Sequence, residues 1–203
     1  MSWRCGGKSV SEAEAWEERY RSGKTGWDRG APSPALLGWL QDRTLTPCRI
    51  LVPGCGRGYE VVELARRGFE VTAVDIAPTP VAFLRQALQE AGLKAQVIQA
   101  DLLDFQPDIP FDAIYEQTCL CALAPDAWPA YAERLERWLA PSGRLFALFM
   151  QTGSPGGPPY HCDLEAMERL FPASLWRWPA PPYPAIPHPS GFHERAVVLS
   201  KRP

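Results

Sequence analysis

Apolar and polar positions along the chain alternate between two periods, and the changes of period mark out strands and helices in turn. Residues 50–52 (Ile-Leu-Val) read as a short buried strand, 69–74 as a second, 96–100 as a third and 111–115 as a fourth. Residues 144–150 form a fifth, and its Leu145-Phe146-Ala147-Leu148-Phe149 is nearly all apolar, as a central strand covered on both faces should be. Residues 175–178 and 195–200 close the set of seven. Between them the spacing turns helical. Ser11-Glu12-Ala13-Glu14 is a capping-box pattern and opens a helix that should stop at Gly23. Ser33-Pro34 reads as N-cap and first helical residue of a helix through Leu40. Further helices are predicted over 59–65, 80–90, 126–139 (with Trp128, Tyr131, Leu135 and Trp138 on one face) and from the Asp163 cap to Phe171. Strands alternating with helices predict an α/β fold with a mostly parallel sheet, and the closing pair predicts one antiparallel strand at the end.

The chain is organised around residues 49–60. A strand, three glycines at alternate positions (Gly54, Gly56, Gly58) and then a helix is how an α/β fold brings bare backbone close to a nucleotide-like ligand. The dinucleotide fingerprint requires glycine where Tyr59 stands, so the pattern is G-x-G-x-G, which resembles the first motif of the class I S-adenosylmethionine (SAM) methyltransferases. The second strand ends at Asp75, 21 residues after Gly54. That is close to the ~20 separating such a loop from its ribose-binding carboxylate. The third ends at Asp101-Leu102, where the enzymes it resembles hold the adenine ring. The plainer role for both acids is helix capping. Gln117, Thr118 and Cys119 follow the fourth strand and face the same crevice, because ligands of open parallel sheets sit beyond the carboxyl ends of the strands.

Composition narrows the function classes. At 203 residues the chain is read as one domain, 1–203, large enough for a real core. Twenty-one basic and 23 acidic residues leave a net charge of −2 without a basic stripe, which argues against nucleic acid as a partner. There is neither an apolar run long enough to cross a membrane nor an apolar leader in the N-terminal residues, so a cytoplasmic location is expected. Six cysteines are too sparse for a disulfide scaffold, and without a C-x-x-C pair no metal site is expected. They read as buried reduced thiols; Cys119 and Cys121 alternate as in an extended segment. Seven of the 22 prolines fall between Pro172 and Pro189, marking a long shaped loop.

Trp16 and Tyr20 lie four apart and share one helix face, followed by a turn carrying Trp27. From periodicity alone this face is either a staple on the core or a lid over the cofactor. Taken together, Trp16…Tyr20…Gly23-x-Thr25-x-Trp27-Asp28, Leu51-Val52-Pro53-Gly54-Cys55-Gly56, Cys121-Ala122-Leu123-Ala124-Pro125 and Gly156-Gly157-Pro158-Pro159-Tyr160 resemble the thiopurine S-methyltransferase family. Within that family they are most like the plant halide/thiol methyltransferase branch. The resemblance runs from Trp16 to Arg195. It implies a Rossmann-like class I methyltransferase fold with residues 1–30 as a lid over SAM. Trp16, Tyr20, Trp27, Gly54, Gly56, Asp75, Asp101, Leu102 and Gln117 are its implied cofactor contacts, with S-adenosylhomocysteine as product. Tyr20 stands where the family often has tryptophan. Gln117 and Met150 stand where the plant branch has tyrosine, which puts halide transfer in question and implies a reshaped acceptor pocket. Glu194-Arg195 resembles a C-terminal element of the thiopurine enzymes.

The expected reaction is in-line methyl transfer to a small soft nucleophile, a thiol or hydrosulfide, by a monomer or weak dimer. A thiol of pKa ~8.5 is already a few per cent ionised at neutral pH, so a general base is optional. Tyr160 and Arg195 are the expected acceptor contacts, Tyr160 being equally a loop-packing aromatic. His193 reads as a surface residue. Other acceptors (halide, a thiopurine-like heterocycle, a selenium or tellurium oxyanion), a non-catalytic SAM-binding protein and an NAD-dependent oxidoreductase are the competing readings.

Overall fold

The structure, a computed structural model, describes residues 11–202. The first ten residues of the expected lid, Cys5 among them, lie outside the described residues. Ser11 caps α1 (Glu12–Arg21) reciprocally: its hydroxyl accepts from the Glu14 amide and the Glu14 carboxylate accepts from the Ser11 amide. Then come α2 (Pro34–Gln41), β1 (Arg49–Pro53), α3 (Tyr59–Arg66), β2 (Glu70–Asp75), α4 (Pro78–Glu90), β3 (Gln96–Gln99), β4 (Phe111–Gln117), α5 (Trp128–Trp138), β5 (Leu139–Gln151), α6 (Leu164–Leu170), β6 (Trp176–Arg177), β7 (Ala185–Pro187) and β8 (His193–Lys201).

The sheet order is β3-β2-β1-β4-β5-β8-β6, with β7 also on β8. The first five strands pair in parallel and β8 runs antiparallel to β5. Because β5 occupies one edge of β8, β6 and β7 share the other in tandem, β7 opposite 193–195 and β6 opposite 200–201. The sheet is thus seven positions wide, and the last position is divided between two short strands. β7 arises inside the proline-rich loop, at an edge where missing N–H donors cost least.

Strand alternation divides the core. Ile50, Val52, Phe146 and Leu148 face α2, α3 and α4, packing on Leu36, Leu64 and Leu84. Leu51, Leu145 and Phe149 face α5 and α6, packing on Tyr131, Leu135 and Met167. Helix α1 does not join either layer: none of its ten described residues is buried. It leans instead on the start of α4, where the Glu17 carboxylate accepts from the Thr79 amide (2.9 Å) and hydroxyl (2.6 Å). That excludes the staple on the core.

Two local expectations change. The fifth strand begins at Leu139 rather than at the expected 144, with residues 141–143 as a bulge inside it, since pairing to β4 holds on both sides, Phe111 with Leu139 and Ala113 with Arg144. Gly143 makes room for this: a Cβ there would stand 2.9 Å from the Ala140 oxygen and 3.3 Å from that of Asp112. The segment with Cys119 and Cys121 is not extended but turns through a 3-10 helix, Leu120–Ala122. Glu116 causes the turn by accepting from the Leu120 amide at 2.7 Å. Burial pushes this carboxyl up to about 7, Leu120's hydrogen bond opposing the shift.

Two outcomes are expected. Gly58 opens α3 with φ +72°, and a Cβ there would meet buried Leu84 at 2.5 Å. Gly58→Ala should lower unfolding free energy by roughly 2–4 kcal/mol in urea titration, from left-handed strain plus overpacking. Glu116, with its folded pKa raised from 4.5 to about 7, contributes most favourably below the lower value and loses that contribution as pH rises through the higher one. Stability should therefore fall between about pH 5 and about pH 7.5, and Glu116→Gln should shrink that fall by roughly 1–3 kcal/mol.

Candidate active site

The carboxyl ends of β1, β2 and β4 meet on one rim, and the glycine turn bridges them. Gly54 and Gly56 both adopt positive φ (57° and 52°). A Cβ on Gly54 would lie 2.8 Å from the Cys119 sulfur, so glycine lets the end of β1 pass against the exit of β4. The turn is tied to β2 by Asp75: Oδ2 accepts from the Gly56 amide at 2.8 Å and Oδ1 from the Ala77 amide at 2.9 Å. Burial raises the Asp75 pKa, and those backbone donors oppose the rise. On the neighbouring strand end, Asp101 Oδ1 accepts from the Leu103 amide at 2.8 Å, and Leu102 is buried beside it.

Over this rim lies a cavity of about 490 Å³. All nine residues expected to contact the cofactor line it: Trp16, Tyr20, Trp27, Gly54, Gly56, Asp75, Asp101, Leu102 and Gln117. The aromatic wall is built around Trp27, whose ring meets Trp16 edge-on at 5.5 Å and Tyr20 at 5.7 Å. Burial, with Asp75 nearby, pushes the Tyr20 hydroxyl well above its ordinary pKa, so it stays a neutral donor. Asp28 pairs with Arg57 of the glycine turn at 3.2 Å.

Gln117 lines the cavity with its carboxamide already engaged. Its oxygen accepts from the Tyr115 hydroxyl at 2.7 Å, and its nitrogen donates to Glu194 at 3.0 and 3.4 Å. Glu194, fully buried, also accepts from Arg29 Nη2 at 3.0 Å. Burial pushes Glu194 up to about 7, opposed by Arg29 and Gln117. A part-buried hydrogen-bonded chain Tyr115–Gln117–Glu194–Arg29 thus links the lid segment to β4 and β8. Neither Arg29 nor Glu194 was singled out from sequence as a contact; Glu194 was visible only as part of the Glu194-Arg195 pair.

The structure places Tyr160 and Arg195, the expected acceptor contacts, outside the residues that line the cavity. Tyr160 donates its amide to the Cys121 oxygen, and its ring folds onto its own loop, where a Cβ on Gly157 would strike it at 2.6 Å. Arg195 pairs in register with Phe149, on the opposite sheet face from Glu194, and donates to the Tyr183 oxygen at 3.1 Å. Thr118, Met150, Pro158, Pro159, His188 and Ser190 line the cavity instead. Cys48, Cys55, Cys119, Cys121 and Cys162 are free thiols, and burial pushes the pKa of each upward.

The family model described as thiopurine S-methyltransferase (TPMT) matches residues 11–179. "Probable thiol methyltransferase 2" of Arabidopsis thaliana is 32% identical over 168 residues, covering 80% of this chain and 74% of the relative. "Thiopurine S-methyltransferase" of Bordetella petrii is 29% identical over 181 residues, covering 79% and 81%. Among solved structures, the 1,6-didemethyltoxoflavin-N1-methyltransferase of Burkholderia thailandensis, crystallised with S-adenosylhomocysteine, superposes with a TM-score of 0.74. It is 20% identical, covers 98% of this chain and 94% of its own, and shows the shared fold. With a glycine turn, two strand-end acids and an aromatic lid gathered on one cavity, and with that match spanning most of its length, the chain belongs to the thiopurine S-methyltransferase family and is a SAM-dependent methyltransferase.

Proposed function

We propose that the cavity holds SAM with its adenosyl part between Asp75 and Asp101-Leu102, and that the methyl acceptor is a small thiol or hydrosulfide. The observation that carries the reading is the convergence of all nine expected cofactor residues on one cavity. The residues present fit the cofactor. The cavity volume lies within the range usual for small-molecule sites. Asp75 spends one hydrogen bond per oxygen, and a carboxylate has about four acceptor positions, which leaves capacity for ribose hydroxyls. When bound, SAM supplies an electrophilic methyl on a sulfonium sulfur.

The chain's own part is alignment and exclusion of water. Trp16, Tyr20 and Trp27 close the cavity from the lid side, and their ring faces favour a cation. Gly54 and Gly56 let the backbone approach where a side chain would stand. Thr118, Met150, Pro158 and Pro159 form the acceptor face, apolar enough to favour a soft, weakly hydrated nucleophile. Thiol acceptance is supported by the names of the relatives and by a face that a free thiol can use without a dedicated base.

The whole chain acts as a single methyltransferase domain, with residues 1–30 as its lid. No helix among the described residues is long and apolar enough to cross a membrane. A cytoplasmic monomer or weak dimer acting on a small molecule fits that picture.

Labelled SAM incubated with thiols, hydrosulfide, thiocyanate and halides should give methylated thiols and S-adenosylhomocysteine. Binding of SAM with no turnover on any thiol would refute the acceptor. Asp75→Ala should weaken SAM binding by roughly 1–3 kcal/mol, through lost charge-assisted hydrogen bonds. Calorimetry that finds the affinity unchanged would remove Asp75 from the ribose role.

A further inference from the structure

Glu194 meets no ligand itself. It is fully buried on β8 and is not among the residues that line the cavity. What it touches are two residues that do line it, Gln117 at the end of β4 and Arg29 in the segment after α1. Oε2 accepts from both, from Gln117 Nε2 at 3.0 Å and from Arg29 Nη2 at 3.0 Å, and Oε1 accepts from the same Gln117 nitrogen at 3.4 Å.

Each tie fixes a part of the cavity wall. A carboxylate accepts and does not donate, so it decides which way round the Gln117 carboxamide stands. The nitrogen faces Glu194, and the oxygen is left to accept from the Tyr115 hydroxyl at 2.7 Å. Arg29 follows Trp27 by two residues, and Trp27 is the ring that both Trp16 and Tyr20 meet edge-on. Holding Arg29 therefore holds the aromatic wall near its centre. The guanidinium's other tie, to the Pro187 oxygen at 2.5 Å, brings in the turn whose His188 and Ser190 also line the cavity.

Stability does not account for the charge. Burial pushes Glu194 up to about 7, opposed by Arg29 and Gln117, and Glu60 at the start of α3 adds to the rise. Tyr115 and Glu116 of β4 and the Cys121 and Cys162 thiols also feel its charge. With a folded value above the ordinary 4.5, the carboxyl contributes most favourably below 4.5 and loses that contribution as pH rises through about 7. A neutral residue of the same shape would serve the fold as well as the ionised one. What the carboxylate adds is its joint hold on Gln117 and Arg29.

We propose that Glu194 is a positioning residue for methyl transfer: by accepting from Gln117 and Arg29 together, it makes the placing of Gln117 and the closing of the aromatic wall over the cofactor a single coupled event. The coupling rests on the cofactor site proposed above and extends it to a residue that no ligand touches.

Calorimetry with S-adenosylhomocysteine and limited trypsin digestion test the coupling, both at about pH 8, where the wild-type carboxyl is mostly ionised. Glu194→Gln keeps the shape and removes the charge. It should weaken binding about tenfold while the urea midpoint stays the same or rises. Arg21 and Lys24 are exposed trypsin sites in the lid. Saturating S-adenosylhomocysteine should protect them in the wild type and not in Glu194→Gln. Arg29 and Gln117 share no hydrogen bond, so non-additivity between Arg29→Gln and Gln117→Ala passes through Glu194; the double variant should bind about as weakly as the weaker single one. Should Arg29→Gln fail to fold, Glu194→Gln still decides, and the cycle decides in the reverse case. Unchanged affinity with full protection in Glu194→Gln, a loss of stability as large as the loss of affinity, or strict additivity in the cycle overturns the coupling and leaves the cofactor site standing. A wild type that does not bind S-adenosylhomocysteine defeats the cofactor site, and the coupling with it.

Discussion

The site depends on the Asp75 carboxylate reaching across from the end of β2 to the amide of Gly56. A turn with positive φ at every second residue has few hydrogen bonds of its own. Here Cys55 donates to Val74, Gly58 donates to Cys55, and Asp75 secures the amide between them. The contact carries the cost of a buried charge, offset by two backbone donors. It holds Gly54 where β1 can pass Cys119 and Gly58 where α3 can begin over Leu84. The same acid therefore shapes the turn and presents its remaining lone pairs to the cavity, so the packing of the sheet and the grip on a ligand rest on one group.

The lid is held in a different way. Helix α1 and the turn after it are held by polar ties: Glu17 of α1 to Thr79, then Asp28 to Arg57, and Arg29 to Glu194 and Pro187. The first two are partly exposed and contribute little each. In the third, Glu194 is fully buried and Arg29 partly so, and removing Arg29 would leave the buried carboxyl without its cation. The segment carrying the aromatic wall thus has one strong attachment, at Glu194, and weaker ones at Glu17 and Asp28. Local opening should begin in α1 and reach Arg29 last.

Much of this arrangement was legible in the sequence because it follows from local rules. The capping box at Ser11, the glycine turn, the two strand-end acids and the alternation of strands with helices all rely on neighbours within a few residues or on a recurrent spacing. The nine cavity residues expected for the cofactor came from those rules together with a family resemblance. What was missed depends on pairing at a distance. Arg29 and Glu194 stand 165 positions apart and meet only after β8 inserts beside β5. Arg195 was favoured over Glu194 although strand alternation turns only the latter toward Gln117, a difference of one residue that requires the register to be known. The Cys119–Cys121 segment looked extended because alternation is visible in sequence, while the capture of the Leu120 amide by Glu116 is not.

The divided last position of the sheet also bears on how the molecule meets others of its kind. A long bare strand margin is a template on which a second chain can add its own backbone. At one margin β8 is overlaid by β6 and β7, each only two or three residues long, with proline at the end of β7. At the opposite margin β3 has only four residues. Neither side offers a ladder long enough to nucleate intermolecular strand exchange, so the proline-rich loop, which also buries Trp176 in the core, guards the fold against self-templated growth.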